Sequence, residues 1–156
     1  MAANVYSFQA NHNARATDRE IMVARHLQAR GIADPHVLKA MGEVPREAFV
    51  PEALGEFAYE DSPLPIEAGQ TISQPYIVAR MVELAEIEPG DNVLEVGAGS
   101  GYAASVMSRI AEHVHAIERH EELARLASER VARLGYNNAE IICADGTKGL
   151  PEHAPY

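Results

Sequence analysis

The run VLEVGAGSGY, from Val93 to Tyr102, constrains this chain more than any other stretch. Val93, Leu94 and Val96 follow the turn-forming pair Pro89-Gly90 and read as a central parallel strand covered on both faces. Gly97, Gly99 and Gly101 then let the backbone turn sharply and approach a ligand that a Cβ would hold away. A helix predicted over about Ser100 to Ala111 would aim its free N–H groups at the same space. A buried strand, a glycine turn and a helix start in that order imply a nucleotide cofactor.

The spacing separates two cofactor classes. A dinucleotide fingerprint needs G-x-G-x-x-G, and here the sixth place is Tyr102, which disfavours an NAD-dependent dehydrogenase. The pattern is G-x-G-x-G, and Glu95, two residues before the first glycine, is the usual companion in S-adenosyl-L-methionine sites. An acid for the ribose hydroxyls should end the next strand, about 20 residues on. Glu118 ends the run VHAIE, Val114 to Glu118. A third strand, Ala139 to Cys143, leads to Asp145-Gly146, where an acid would accept from the adenine amino group. Alone, a glycine turn can be a packing bend and a strand-end Glu is usually solvated; four such features in order at βα spacing argue for a site.

Composition bounds the partners. The chain has 156 residues, 47% hydrophobic and 23% charged, which suits one folded domain. A formal net charge of −10 argues against nucleic acid or an anionic membrane surface, which require clustered Lys and Arg. Cys143 is the single cysteine, so no internal disulfide forms, and on a strand it reads as a core residue. With no apolar leader at the N-terminus and no run of about 20 apolar residues, the expected location is the cytoplasm. The seven histidines, among them His12, His113, His115 and His153, pair with no acid or cysteine at ligand spacing, so no metal site is expected.

Three segments follow. Residues 1–17 read as a loose polar arm. Residues 18–88 hold helices over Asp18 to Arg30, stopped by Gly31, and from Asp34-Pro35 to about Gly42. They also hold a proline-punctuated stretch from Val44 to Pro75 without periodic pattern, then a helix over Gln74 to Ala85 with Ile77, Val78, Met81, Val82 and Ala85 on one face. On spacing alone, Ser73 is the N-cap of that helix. Residues 89–156 alternate strand and helix, with a helix over Glu121 to Leu134 capped by Gly135, as a parallel sheet requires.

On these residues the chain resembles the protein-L-isoaspartate O-methyltransferases, over nearly everything from Ile21 onward. The resemblance rests on MVARHLQARGIADPHVLKAMGEVPREAFVP, AYEDSPLPIEAGQTISQP, VLEVGAGSGY, VHAIER and ADGTKGLPEHAPY. It implies a Rossmann-like class I S-adenosylmethionine-dependent methyltransferase fold, present as the first half of a doubly wound parallel sheet preceded by N-terminal helices. It implies methyl transfer to the free carboxylate of L-isoaspartyl residues in damaged proteins or peptides. It makes Ser73 the active-site hydroxyl, and sets Thr71, Ile72, Ser73 and Gln74 against the cofactor. Ser100, Glu118, Arg119, Asp145 and Gly146 join Glu95, Gly97, Gly99 and Gly101 in the implied cofactor site. The family generally has Gly-Asp-Gly where this chain has Ala144-Asp145-Gly146. In the family a fourth strand follows Pro155-Tyr156, so the expectation is a fragment, or a chain completed by another, with an exposed sheet edge that invites self-association. The rivals are a methyltransferase of small molecules and a non-catalytic cofactor-binding module.

Overall fold

The structure, a computed structural model, describes residues 15–156. His12 and most of the expected N-terminal arm lie outside the described residues. Helix α1 (Ala16–Met22) continues through a wider π turn (Val23–Leu27) and a 3-10 turn (Gln28–Arg30) to Gly31, whose φ of 94° ends the run. Helix α2 (Pro35–Glu43) starts on the cap its sequence specifies. Asp34 Oδ1 accepts from the His36 and Val37 N–H groups at 2.7 and 3.2 Å, with Pro35 at the first position, where no donor is needed.

The stretch from Val44 to Pro75 is a packed cover rather than a free loop. It folds into 3-10 turns (Arg46–Phe49 and Glu52–Phe57) and a two-residue antiparallel ladder of β1 (Leu64–Pro65) with β2 (Thr71–Ile72). Val44, Phe49, Val50, Ala58 and Tyr59 are buried. Arg46 is buried as well, with its guanidinium 5.0 Å from the centroid of the Tyr102 ring.

Helix α3 (Pro75–Leu84) corrects two expectations. Its N-cap is Gln74, not Ser73; Asp61 reaches in from the cover and accepts from the Tyr76 N–H at 3.0 Å. Its buried face is Val78, Ala79 and Val82, while Ile77 and Met81 are exposed. Apolar residues lie on both sides of this short helix, so periodicity alone could not choose between the faces.

The sheet has three parallel strands in the order β3 (Asn92–Val96), β4 (His113–Glu118), β5 (Ala139–Cys143). Helices α4 (Tyr102–Met107) and α5 (Glu121–Leu134) connect them and pack against β4. On β4, Val114 and Ala116 join the helix-side core, so His115 and Ile117 lie on the opposite face. Strand β3 is an edge strand, in line with the exposed sheet edge expected above, but its faces are not both covered as its apolar residues implied: Val96 is 62% exposed. Cys143, expected in the core, is exposed at the end of the other edge strand.

Helix α4 is shorter than the expected 100–111. Ser100 and Gly101 are used in the turn, and Gly101 is its N-cap with φ 86°. At the far end, Arg109 and Ile110 N–H bond three residues back, tightening the last turn. Asn138 Nδ2 then donates to the carbonyls of Ser108, Ala111 and Glu112 at 2.8, 3.2 and 3.2 Å, satisfying groups the helix leaves open. Among the described residues no helix is long and apolar enough to cross a membrane.

Candidate cofactor site

At the C-terminal end of β3 the chain must turn without side chains. Gly97 has φ 94°, a region that L side chains rarely enter, and an added Cβ there would meet nothing within 4 Å. The space above it is open for a ligand. The N–H groups of Gly97 and Ala98 both donate to Ile117 O, at 2.8 and 2.9 Å, which stitches the turn to β4. Gly101 serves packing instead: a Cβ on it would lie 3.2 Å from Val131 Cγ2 and 3.4 Å from Ala127 Cβ on α5.

Glu118, at the tip of β4, is only 5% exposed and fully engaged with backbone. Its Oε2 accepts from Gly99 N–H and its Oε1 from His120 N–H, each at 3.0 Å. One carboxylate therefore holds both the glycine turn and the entrance to α5, and each oxygen keeps a second lone pair.

A cleft of about 420 Å³ opens here. Of the residues singled out from the sequence, Thr71, Gly97, Gly99, Glu118, Arg119, Asp145 and Gly146 line it. Asp145 accepts from the N–H and the hydroxyl of Thr147 at 3.1 and 2.8 Å, and these bonds hold its carboxyl below the usual carboxylate range. Gly146 lies so close to β3 that a Cβ would come 2.5 Å from Val96 Cγ1.

The others stand outside the lining. Ile72 is buried, and Ser73 is exposed at the junction leading into α3. Gln74 is half-buried with its amide 3.4 Å from Asp61 Oδ2. Ser100 is buried in the turn and Gly101 faces α5. Sequence reading overlooked Gln70, Val96, Ile117, His120 and Thr147, which also line the cleft. Gln70 and Thr147 adjoin recognised motifs, and the parallel register brings Val96 level with Ile117. The β1–β2 hairpin that carries Gln70 and Thr71 is tied to α5 by an ion pair between Glu67 and Arg130.

Glu95 lies beneath the cleft on the helix side of β3, in register with Ala116. Its Oε2 is buried and lacks a hydrogen-bond partner among the described residues. Burial, reinforced by the charge of Glu118, raises its carboxyl to about 8. An acid with one buried oxygen unpaired and a backbone hydrogen bond at Ala104, beside a second acid, fits a ligand that brings positive charge.

This glycine turn, the strand-tip acid and the parallel sheet define a class I Rossmann-like S-adenosylmethionine-dependent methyltransferase fold. The sequence profile of the protein-L-isoaspartate(D-aspartate) O-methyltransferase family matches residues 17–156, and the chain belongs to that family. It is 62% identical over 138 residues to protein-L-isoaspartate O-methyltransferase 2 of Pelobacter propionicus, covering 88% of this chain and 61% of that protein. It is 59% identical over 141 residues to protein-L-isoaspartate O-methyltransferase 1 of Geotalea uraniireducens, covering 90% and 64%. A solved protein-L-isoaspartate O-methyltransferase superposes with a TM-score of 0.79 at 36% identity, over 88% of this chain and 45% of that one. The chain thus spans about three-fifths of the length of the curated relatives it matches.

Proposed function

We propose that this chain carries the cofactor-binding half of an S-adenosylmethionine-dependent carboxyl methyltransferase that acts on L-isoaspartyl residues in damaged proteins or peptides. The observation that carries the reading is the Glu118 carboxylate, bonded to Gly99 N–H beneath an open glycine turn. Family membership supports the substrate class. When bound, S-adenosylmethionine supplies an electrophilic methyl group on a positively charged sulfur.

Glu118 accepts from the ribose hydroxyls with its remaining lone pairs, and Asp145 and Gly146 border the adenine. Gly97 and Gly99 leave room for the nucleoside and methionine chain. Glu95 lies within electrostatic reach of the cofactor's ammonium and sulfonium charges, which offset the cost of its burial. Thr71 and Arg119 line the same cleft, while Ile72, Ser73, Gln74, Ser100 and Gly101, outside its lining, are contacts that the family resemblance alone implies.

The acceptor carboxylate, with an ordinary pKa near ~4, is ionised at neutral pH, so no general base is needed. Ser73 hydrogen-bonds the acceptor and fixes its line of approach; it forms no covalent bond to it. Alignment of that kind can supply about 7 to 11 kcal/mol in favourable cases. The next backbone nitrogen then attacks the methyl ester carbonyl and displaces methanol, and the succinimide formed is reopened by water, partly to normal aspartate. Residues 18–88 act as the cover that presents Ser73, and 89–156 as the cofactor half. The acidic charge supports polypeptide substrates over nucleic acid or membrane, and the single cysteine supports a cytoplasmic setting.

Among the described residues the outer edge of β3 is unpaired, which favours a second reading, a cofactor-binding module that turns over only when another segment or a second copy pairs with that edge. Incubation with S-adenosylmethionine labelled on the methyl group, and with an isoaspartyl peptide beside its aspartyl twin, decides between them. Label in the isoaspartyl peptide alone supports the transferase. Cofactor uptake without label in either peptide supports the module, and label in both peptides counts against isoaspartyl specificity.

A further inference from the structure

The sequence spacing of the histidines gives no metal-ligand pattern, yet the fold gathers two of them with an acid. His115 lies on the face of β4 turned away from the helices, and the parallel register sets Glu140 of β5 opposite it. His115 Nδ1 is 3.3 Å from Glu140 Oε2. The 3-10 turn Pro151–His153 crosses the same face and stacks His153 on His115, with ring centroids 4.0 Å apart and planes inclined by 29°. One ligand atom from each of the three residues lies within 4.8 Å of the other two. His115 Nδ1 is buried without a well-formed hydrogen bond, while Glu140 and His153 are exposed and free to swing.

We propose that His115, Glu140 and His153 form a binding site for a divalent transition-metal ion of the zinc type, distinct from the cofactor cleft. Two imidazoles and a carboxylate suit zinc, and three protein donors are too few oxygens for calcium or magnesium. Tetrahedral bonds of about 2.0 to 2.1 Å set ligand atoms roughly 3.4 Å apart, so the cluster must tighten by about 1.4 Å at most. Side-chain rotation of His153 and Glu140 toward the strand-held His115 accomplishes this and unstacks the two rings. Water takes the fourth position. Glu140 and His153 are exposed, so the ion reaches the cluster directly from solvent. None of the three ligands lines the cofactor cleft, so the site does not depend on the methyltransferase reading. The bound ion would pin residues 151–153 to β4 and β5.

The test is a calorimetric titration of the untagged full chain with zinc chloride in a non-chelating buffer. One equivalent is expected to bind. His115→Ala and His153→Ala should each weaken binding at least about tenfold and Glu140→Gln somewhat less, whereas His113→Ala on the same face should leave it within about twofold. Cobalt(II) added to the unmodified chain should give the intense visible bands of tetrahedral coordination, a readout that needs no variant. No uptake at millimolar zinc, cobalt spectra of a purely octahedral aquo ion, or uptake unchanged in the His115→Ala/His153→Ala double variant overturns the proposal.

Discussion

Glu118 Oε2 accepts a hydrogen bond from Gly99 N–H at 3.0 Å, so the acid at the tip of β4 holds the glycine turn at the end of β3 in place before any ligand arrives. Its other oxygen fixes His120 at the start of α5. Glu118→Ala is therefore expected to act twice. It removes a cofactor partner and releases two backbone N–H groups, weakening S-adenosylmethionine binding by about 1 to 3 kcal/mol and lowering stability by a similar amount. Calorimetry and denaturant unfolding of the same preparation measure both; cofactor affinity equal to that of the unmodified chain would remove Glu118 from the site.

Glu95 gives a pH dependence with a definite sign. Its carboxyl is raised in the fold to about 8, above the ordinary carboxylate value, so the folded state holds a proton that the unfolded chain has lost. The resulting stabilisation is complete below the unfolded pKa and is lost as pH rises through about 8. Glu95→Gln should flatten that slope and, without cofactor, be the more stable protein at pH 8 by on the order of 3 kcal/mol. Urea unfolding between pH 5 and 9 checks this; parallel stability curves for the two proteins would contradict it.

Gly146 and Val96 are packed too closely for any added carbon, since a Cβ would lie 2.5 Å from Val96 Cγ1. Gly146→Ala should displace the Asp145 loop and reduce cofactor affinity about tenfold, while Val96→Ala in the same chain should restore most of the loss. A double variant as weak as the single one would show that the steric contact is not the cause.

Ser73 is exposed at the junction before α3 and caps nothing there, which leaves its hydroxyl available to substrate. In a chain that turns over, Ser73→Ala should lower kcat by about 10²-fold or more with cofactor Kd nearly unchanged, as loss of an orienting contact requires. Proportional losses in both quantities would count against the orienting role.

Asn138 is a structural test far from the site. The two hydrogens of its amide NH2 are shared among three carbonyls beyond α4, and Asn138→Ala should cost about 1 to 3 kcal/mol of stability with cofactor affinity retained once folded. Thermal unfolding with and without cofactor separates the two effects.

Local chemistry made some elements readable from the chain alone. Asp34-Pro35 announces α2 because one side chain caps the helix and the other needs no donor, and Gly31 and Gly135 take the left-handed conformation that ends a helix. The glycine turn and Glu118 were readable because their spacing repeats the geometry of one βα unit. What the chain concealed depends on distant partners. Asp61 caps α3 from 15 residues away, so Ser73 looked like the cap. His115, Glu140 and His153 meet through strand register and a returning turn, which linear spacing cannot display.

The central claim is that the cleft between the glycine turn and Glu118 takes S-adenosylmethionine. Calorimetric titration of the folded, unmodified 156-residue chain tests it most directly. The expected result is saturable binding at one site, abolished or strongly weakened by Glu118→Ala and insensitive to His115→Ala. A folded sample that takes up no S-adenosylmethionine at millimolar supply would contradict the account.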